Sequence, residues 1–267
     1  MPVKEIISVD GRITPAEEAV IPVRDDGLYR GDGVFEVVRL YEGRPFAFGD
    51  HLDRLERSAA RIELPIDRAR IEAEVADLLA AHGAEDAELR IVLTRGGRRI
   101  AAIEELPPLG PSVVLASVRY SPTVILTGAK TLSYGANMEA TRIALARGAD
   151  EALLVRPDGV VLEPPTSSIF WATESGLLRT PALGAGILDS ITRRKLIEAL
   201  GDVEEGEYQV DELLGASEAF LASSVREVQP VSAVDGVELD RHGARAQEAR
   251  AAFDGIIADW RASDRRA

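Results

Sequence analysis

Cysteine is absent from the 267 residues, which excludes a disulfide framework, a thiolate nucleophile and a thiolate metal site. Histidine occurs only as His51, His82 and His242, too far apart for ligand spacing, so metal catalysis is not expected. Basic charge is in deficit: the net charge of -14 argues against a nucleic-acid partner, whose phosphates require a basic surface, and does not favour an acidic membrane surface. No N-terminal apolar run of signal or membrane length is present, and a cytoplasmic protein is expected. Internal repeats and low-complexity segments are also missing. Lysine is scarce as well, confined to Lys4, Lys130 and Lys195 against a large excess of arginine.

What is there reads as alternating strands and helices, enough for one large or two modest domains. Ile6 to Val9, the turn Asp10-Gly11 and Ile13 form a short hairpin, and a second strand spans Val34 to Leu40 before a turn at Glu42-Gly43. Leu52, Leu55, Ala59 and Ile62 recur at helical spacing over His51 to Ile62. A second helix runs from about Asp67 to His82 and stops at Gly83. Strands follow at Leu89 to Thr94 and Ser112 to Val118. Between them the guanidinium cluster Arg95 to Arg99 is either a solvated flexible loop or a carboxylate trap at the mouth of a site. The proline-bearing connector Arg119 to Thr123 places a domain boundary there, giving residues 1–118, a linker at 119–124 and a larger domain at 125–267. In the second half, Ser190 and Thr192 lie beside the start of a helix over Arg193 to Leu200, as an ordinary N-cap or an anion site. Glu204-Glu205 reads as a solvated loop, and a C-terminal helix covers Ala244 to Ala262.

The organising stretch is Val124 to Phe170. Val124, Ile125 and Leu126 bring the backbone in as a strand, Gly128 and Ala129 leave space beside Lys130, and the Tyr134 phenol reaches back. Alone, such a lysine is a surface residue; partly desolvated, its pKa falls and its amine is released for attack on a carbonyl. A hairpin signal at Pro157-Asp158-Gly159 returns the chain through Val160 to Leu162 and ends on Glu163. A carboxylate in that setting needs a cation, and the protonated ring nitrogen of a cofactor would serve.

In their order and spacing, GDGVFEVVRLYEGRPF, HLDRLERSA, KTLSY, GADEALLVRPDGVVLE, TSSIF, SITR and EVQPV resemble the class IV aminotransferases, the fold-type IV enzymes dependent on pyridoxal 5′-phosphate. That family includes branched-chain and D-amino acid aminotransferases and aminodeoxychorismate lyases. The resemblance covers nearly the whole chain. It implies an α+β fold with a small N-terminal α/β domain and a larger cofactor-binding domain built on a β-barrel-like core flanked by helices. By the same resemblance, Lys130 joins the cofactor aldehyde covalently and later moves protons, Glu163 pairs with the ring nitrogen and Tyr134 bonds the phenolate oxygen. Arg54, Ile191, Thr192 and Ser224 hold the phosphate. Pro164 and Ser168 depart from the family's usual glycine and asparagine, which puts the local backbone contacts to the cofactor in question.

Phe35-Glu36-Val37-Val38 is closer to the D-amino acid enzymes than to the F-E-G of branched-chain ones. Arg30, Phe35, Arg90, Arg98 and Arg99 occupy places from which a substrate and its carboxylate would be met. The expected activity is amino transfer from an α-amino acid of the D series, with (R)-amines tolerated, to a 2-keto acid. Aminodeoxychorismate lyase and branched-chain transfer are the alternatives. Family members pair as homodimers.

Overall fold

The computed structural model describes residues 5–264; Lys4 lies outside them. Two compact units are present. The first runs to Pro108 and adds the short segment Ala129–Tyr134; the second takes Leu109–Gly128 and everything from Gly135 onward.

In the first unit, six antiparallel strands form one sheet, in which Gly33 to Leu40 of the strand Gly33–Tyr41 pair with the full length of Ala87–Thr94. Alternation puts Val34, Val38 and Leu40 on one face with Leu89, Ile91 and Ile103. The helices Phe48–Arg61 and Arg68–His82 cover that face through Leu52, Leu55, Ala59, Ile71, Val75 and Leu78. Each such leucine contributes about 1.5–3 kcal/mol on burial, which makes this stripe the main support of the unit. Asp67 caps the second helix by accepting from the Arg70 backbone N–H, and Gly83 ends it. A strand at Arg99–Glu104, not foreseen in the sequence, pairs with both Ala87–Thr94 and Ile6–Val9.

The second unit holds an eight-stranded mixed sheet curled into a half-barrel. Its parallel strands Val113–Arg119 and Glu151–Val155 carry nearly continuous apolar runs because both faces are buried. Leu115, Leu153, Ile169, Trp171 and Leu221 fill one side; Ala116, Val118 and Leu154 meet Ala140 and Ala144 of the helix Gly135–Ala146 on the other. The unit boundary thus falls ahead of Val113–Arg119, whereas the sequence reading divided the chain at 119–124. That strand takes its partners from later in the chain, Glu227–Val234 and Glu151–Val155.

Two local expectations are corrected. Val124–Leu126 is a single 3-10 turn, with Val124 and Ile125 exposed, not a strand: its backbone closes locally, the Leu126 N–H donating to the Thr123 carbonyl and the Thr127 N–H to that of Val124. Val203–Gly206, expected as a loop from its glutamates, is an edge strand parallel to Leu178–Pro181, where side-by-side acids remain in water.

Candidate active site

The first unit positions Lys130 by its backbone. The Lys130 N–H donates to Ser58 Oγ at 3.0 Å, and its carbonyl accepts from the Phe35 N–H at 3.0 Å. Thr131 bridges Val34, and the Leu132 N–H donates to the Gly33 carbonyl at 2.9 Å, so the segment is laid against the end of Gly33–Tyr41. Glycine is required there: a Cβ on Gly33 would stand 2.3 Å from the Leu93 carbonyl oxygen. Lys130 is half-buried, with Nζ 4.4 Å from the centroid of the Phe35 ring, a cation–π arrangement. Tyr134 packs edge-on against that same ring at 5.5 Å between centroids. The aromatic face holds the amine in place while the backbone bonds fix its root.

Behind it lies a charged triad that sequence reasoning missed. Glu36 is fully buried, at the register of core residues Val34 and Val38. Arg54 Nε and Nη2 grip its two oxygens at 2.7 Å each, and His51 Nδ1 lies 2.8 Å from Oε2. Burial would push the Glu36 carboxyl up, but the Arg54 charge and hydrogen bonds, with that of His51, outweigh it and hold the pKa at about 2. His51 is pushed down, first by burial and also by the charges of Arg54 and Lys130, against the pull of Glu36. The signal was legible in principle: an acid in core phase within an apolar strand demands a partner, and His51 and Arg54 share a helix face with Leu55.

The other arginines singled out from sequence hold carboxylates of the chain itself. Arg90 Nε faces both oxygens of Glu104 at 2.9 and 3.1 Å, and its Nη2 meets Glu88 at 2.6 Å. Desolvation, with the Glu104 hydrogen bond, raises Glu88 to about 7. Arg99 is bidentate to Glu74, and Arg98 pairs with Asp10. The cluster from Arg95 to Arg99 is therefore latched, Arg95 to Asp32 included. Arg30 is exposed and pairs only loosely with Asp26, at 3.6 Å.

In the second unit, Glu163 Oε1 accepts from the Leu188 N–H at 2.7 Å. The Tyr120 phenol is shifted up by burial and by the charge of Glu163. Ser190 caps the helix Ile191–Leu200, its hydroxyl accepting from the Arg193 N–H. Ile191 and Thr192 are buried in that first turn, where helix N–H groups have no intrahelical acceptor. Ser224 is half-buried in the turn between the strands Glu218–Ser223 and Glu227–Val234. Two buried hydroxyls, Ser167 Oγ and Ser168 Oγ, lack any hydrogen-bond partner, a cost the fold bears unless a further group reaches them. Orphaned hydroxyls, a helix start and a placed carboxylate suit a phosphorylated, ring-bearing cofactor.

The profile of the family Amino-transferase class IV matches residues 33–234. The chain belongs to that family. Its cofactor is pyridoxal 5′-phosphate, and it is a transaminase of the α+β fold-type IV architecture. Among curated relatives, a putative branched-chain-amino-acid aminotransferase of Methanocaldococcus jannaschii is 32% identical over 86% of this chain and 88% of that one. The aminodeoxychorismate lyase of Bacillus subtilis is 30% identical over 93% and 92%, and a D-alanine aminotransferase of Listeria monocytogenes 30% over 87% and 89%. A solved hypothetical aminotransferase from Mycobacterium tuberculosis in a PLP-bound form superposes with a TM-score of 0.87 at 26% identity, covering 95% of this chain and 99% of that chain. In the class IV enzyme described here, no helix among the described residues is long and apolar enough to cross a membrane.

Proposed function

We propose that this class IV aminotransferase moves an amino group between an α-amino acid of the D series and a 2-keto acid such as 2-oxoglutarate or pyruvate, with (R)-amines as tolerated donors, in the cytoplasm and as a homodimer. The reading rests above all on Lys130, a scarce lysine whose root is tied by Ser58 and Phe35 and whose ammonium lies on an aromatic face. When bound, pyridoxal 5′-phosphate supplies the electron-accepting ring that stabilises charge released at the substrate Cα. Lys130 accepts and returns the proton at that carbon as general base. Glu163 keeps the ring nitrogen protonated, and the Leu188 N–H fixes which way its carboxylate points. Tyr134 donates to the phenolate oxygen. For the phosphate, the second unit offers Ser224 and the first-turn N–H groups of Ile191 and Thr192; the first unit offers Arg54, whose guanidinium plane Glu36 sets.

Substrate choice follows from how firmly each arginine is already held. An exposed pair such as Arg30 with Asp26 contributes about 0–1 kcal/mol and exchanges readily for a substrate carboxylate. Arg98 has one carboxylate partner to give up, whereas Arg90 and Arg99 would each break a bidentate pair. Arg30 and Arg98, with Phe35 as the apolar wall, are therefore favoured for the substrate, and Arg90 and Arg99 for support. Val37 in Phe35-Glu36-Val37-Val38, where branched-chain enzymes carry glycine, supports the D series.

A panel of amino donors, both enantiomers of each, assayed with 2-oxoglutarate and with pyruvate, tests the proposal. Keto-acid-dependent turnover of D-amino acids is expected; turnover confined to branched L-amino acids would reject it. The 30% identity with a lyase supports a second reading, and release of pyruvate with 4-aminobenzoate from aminodeoxychorismate would put it in place of the first.

A further inference from the structure

One buried carboxylate of the second unit has no part in the reading above. Glu151 opens the strand Glu151–Val155 and is 3% exposed. Its Oε1 accepts from the Thr166 hydroxyl at 3.0 Å, and its Oε2 pairs with Arg226 Nη2. These partners lie 15 and 75 residues away in the chain. Arg226 belongs to the turn that carries Ser224. Its backbone N–H donates to Ser223 Oγ at 3.2 Å and its Nη1 to Gln229 Oε1, while Gln229 Nε2 donates to the Gly110 carbonyl at 2.8 Å. Glu227, next along, holds a left-handed φ of 58°, and its carboxylate pairs with Arg250 of the C-terminal helix.

Nη1 and Nη2 of Arg226 each bond a protein acceptor, which ties the guanidinium to the turn as a strut. A left-handed residue of this kind persists only where its surroundings hold it: Glu227 pairs with Arg250 and lies opposite Ser223, and Arg226 beside it bonds Ser223, Gln229 and Glu151. Arg226 in turn is oriented by Glu151. The same carboxylate holds Thr166, beside the orphaned hydroxyls of Ser167 and Ser168. Burial pushes the Glu151 carboxyl up, and the Arg226 charge with the Thr166 and Arg226 hydrogen bonds opposes that shift.

We propose that Glu151 is the positioning residue of the Ser223–Arg226 turn, setting through Arg226 where Ser224 and the turn's N–H groups stand, and joining that turn to the loop of Thr166 to Ser168. The inference rests on the reading that this turn receives the cofactor phosphate.

The test compares apo-protein of wild type, Glu151→Gln, Arg226→Gln and the double variant, titrated with pyridoxal 5′-phosphate and followed by visible absorbance. Hydrogen exchange across residues 223–229 is measured in each apo-protein. Glu151→Gln is expected to weaken cofactor binding by about tenfold or more, since a buried charged bond is lost. The double variant should be no worse than the worse single, because the two residues act as one. Exchange at 223–229 should quicken, and turnover at saturating cofactor should fall less than affinity does. Affinity within about twofold of wild type would overturn the proposal. So would weakened affinity with unchanged exchange in the turn. If Glu151→Gln fails to fold, Thr166→Val removes one bond to the same carboxylate and is judged by the same criteria. Wild type that takes up no cofactor would refute the phosphate reading itself, whereas normal uptake by wild type and Glu151→Gln alike refutes only the role of Glu151.

Discussion

Glu36 is shut off from bulk solvent, so what it contributes is decided by Arg54 and His51. Its folded pKa of about 2 against an ordinary 4.5 corresponds to about 3 kcal/mol in favour of the native state. Because the folded value is the lower one, that stabilisation is complete above 4.5 and is lost as pH falls from 4.5 towards 2. His51 works in the same direction: its folded pKa also lies below the ordinary 6.5, so its share is lost as pH falls below 6.5 towards the folded value. In urea titrations the share of Glu36 and His51 declines as pH drops beneath 6.5, while Glu88, raised to about 7, adds stability as pH falls from 7 to 4.5, so a steep fall in unfolding free energy is expected only under 4.5. Glu36→Gln leaves Arg54 buried beside a neutral amide and should cost about 3–5 kcal/mol, read from the same titrations at neutral pH, and flatten the acid limb. A variant within experimental error of wild type would remove the triad from the account. Lys130→Ala should abolish transamination while thermal unfolding stays close to wild type. After borohydride reduction of the wild-type enzyme, peptide mass analysis should find the cofactor on the peptide containing Lys130; a modified Lys195 would redirect the assignment.

At the scale of elements, two glycines make a pair of opposite predictions. Gly33→Ala drives a methyl against the Leu93 carbonyl at 2.3 Å and should cost about 1–3 kcal/mol in denaturant unfolding, because backbone cannot step aside. Gly49→Ala, in the helix Phe48–Arg61 with nothing within 4 Å, should instead gain up to about 1 kcal/mol. Elements with strong periodicity or clear caps were legible in the sequence: the helix ended by Gly83, the hairpin around Asp10-Gly11 and the helix capped by Ser190 all stand where residue pattern put them. What escaped was set by partners distant in the chain. Val124–Leu126 has strand-forming residues yet closes on itself as a 3-10 turn, while Val203–Gly206 has poor ones and pairs with the edge that Leu178–Pro181 offers. The same holds for the site. Lys130, Tyr134 and Phe35 could be singled out from the chain, yet the Ser58 bond and the carboxylates that occupy Arg90, Arg98 and Arg99 depend on pairings across tens of residues.

On the scale of the whole molecule, the chain's excess of acid leaves few cations unspent, so a substrate carboxylate must compete with internal ones. Raising ionic strength weakens exposed pairs first. KM for an amino acid should therefore rise with salt if Arg30 is the receiving group, and Arg30→Ala should raise KM and remove most of that dependence; a KM indifferent to both would point to a buried arginine instead. Light scattering after size exclusion should give twice the 28.7 kDa chain mass for the proposed homodimer. The segment Ala129–Tyr134 belongs to the first unit although the chain on either side of it belongs to the second. The exposed Val124-Ile125 dipeptide precedes it and offers a protease an accessible bond. A single nick there would leave the amine on one fragment and the surface that seats it, Ser58 and Phe35, on the other. Neither fragment alone should react with the cofactor, and recombining the two should restore the reaction by complementation.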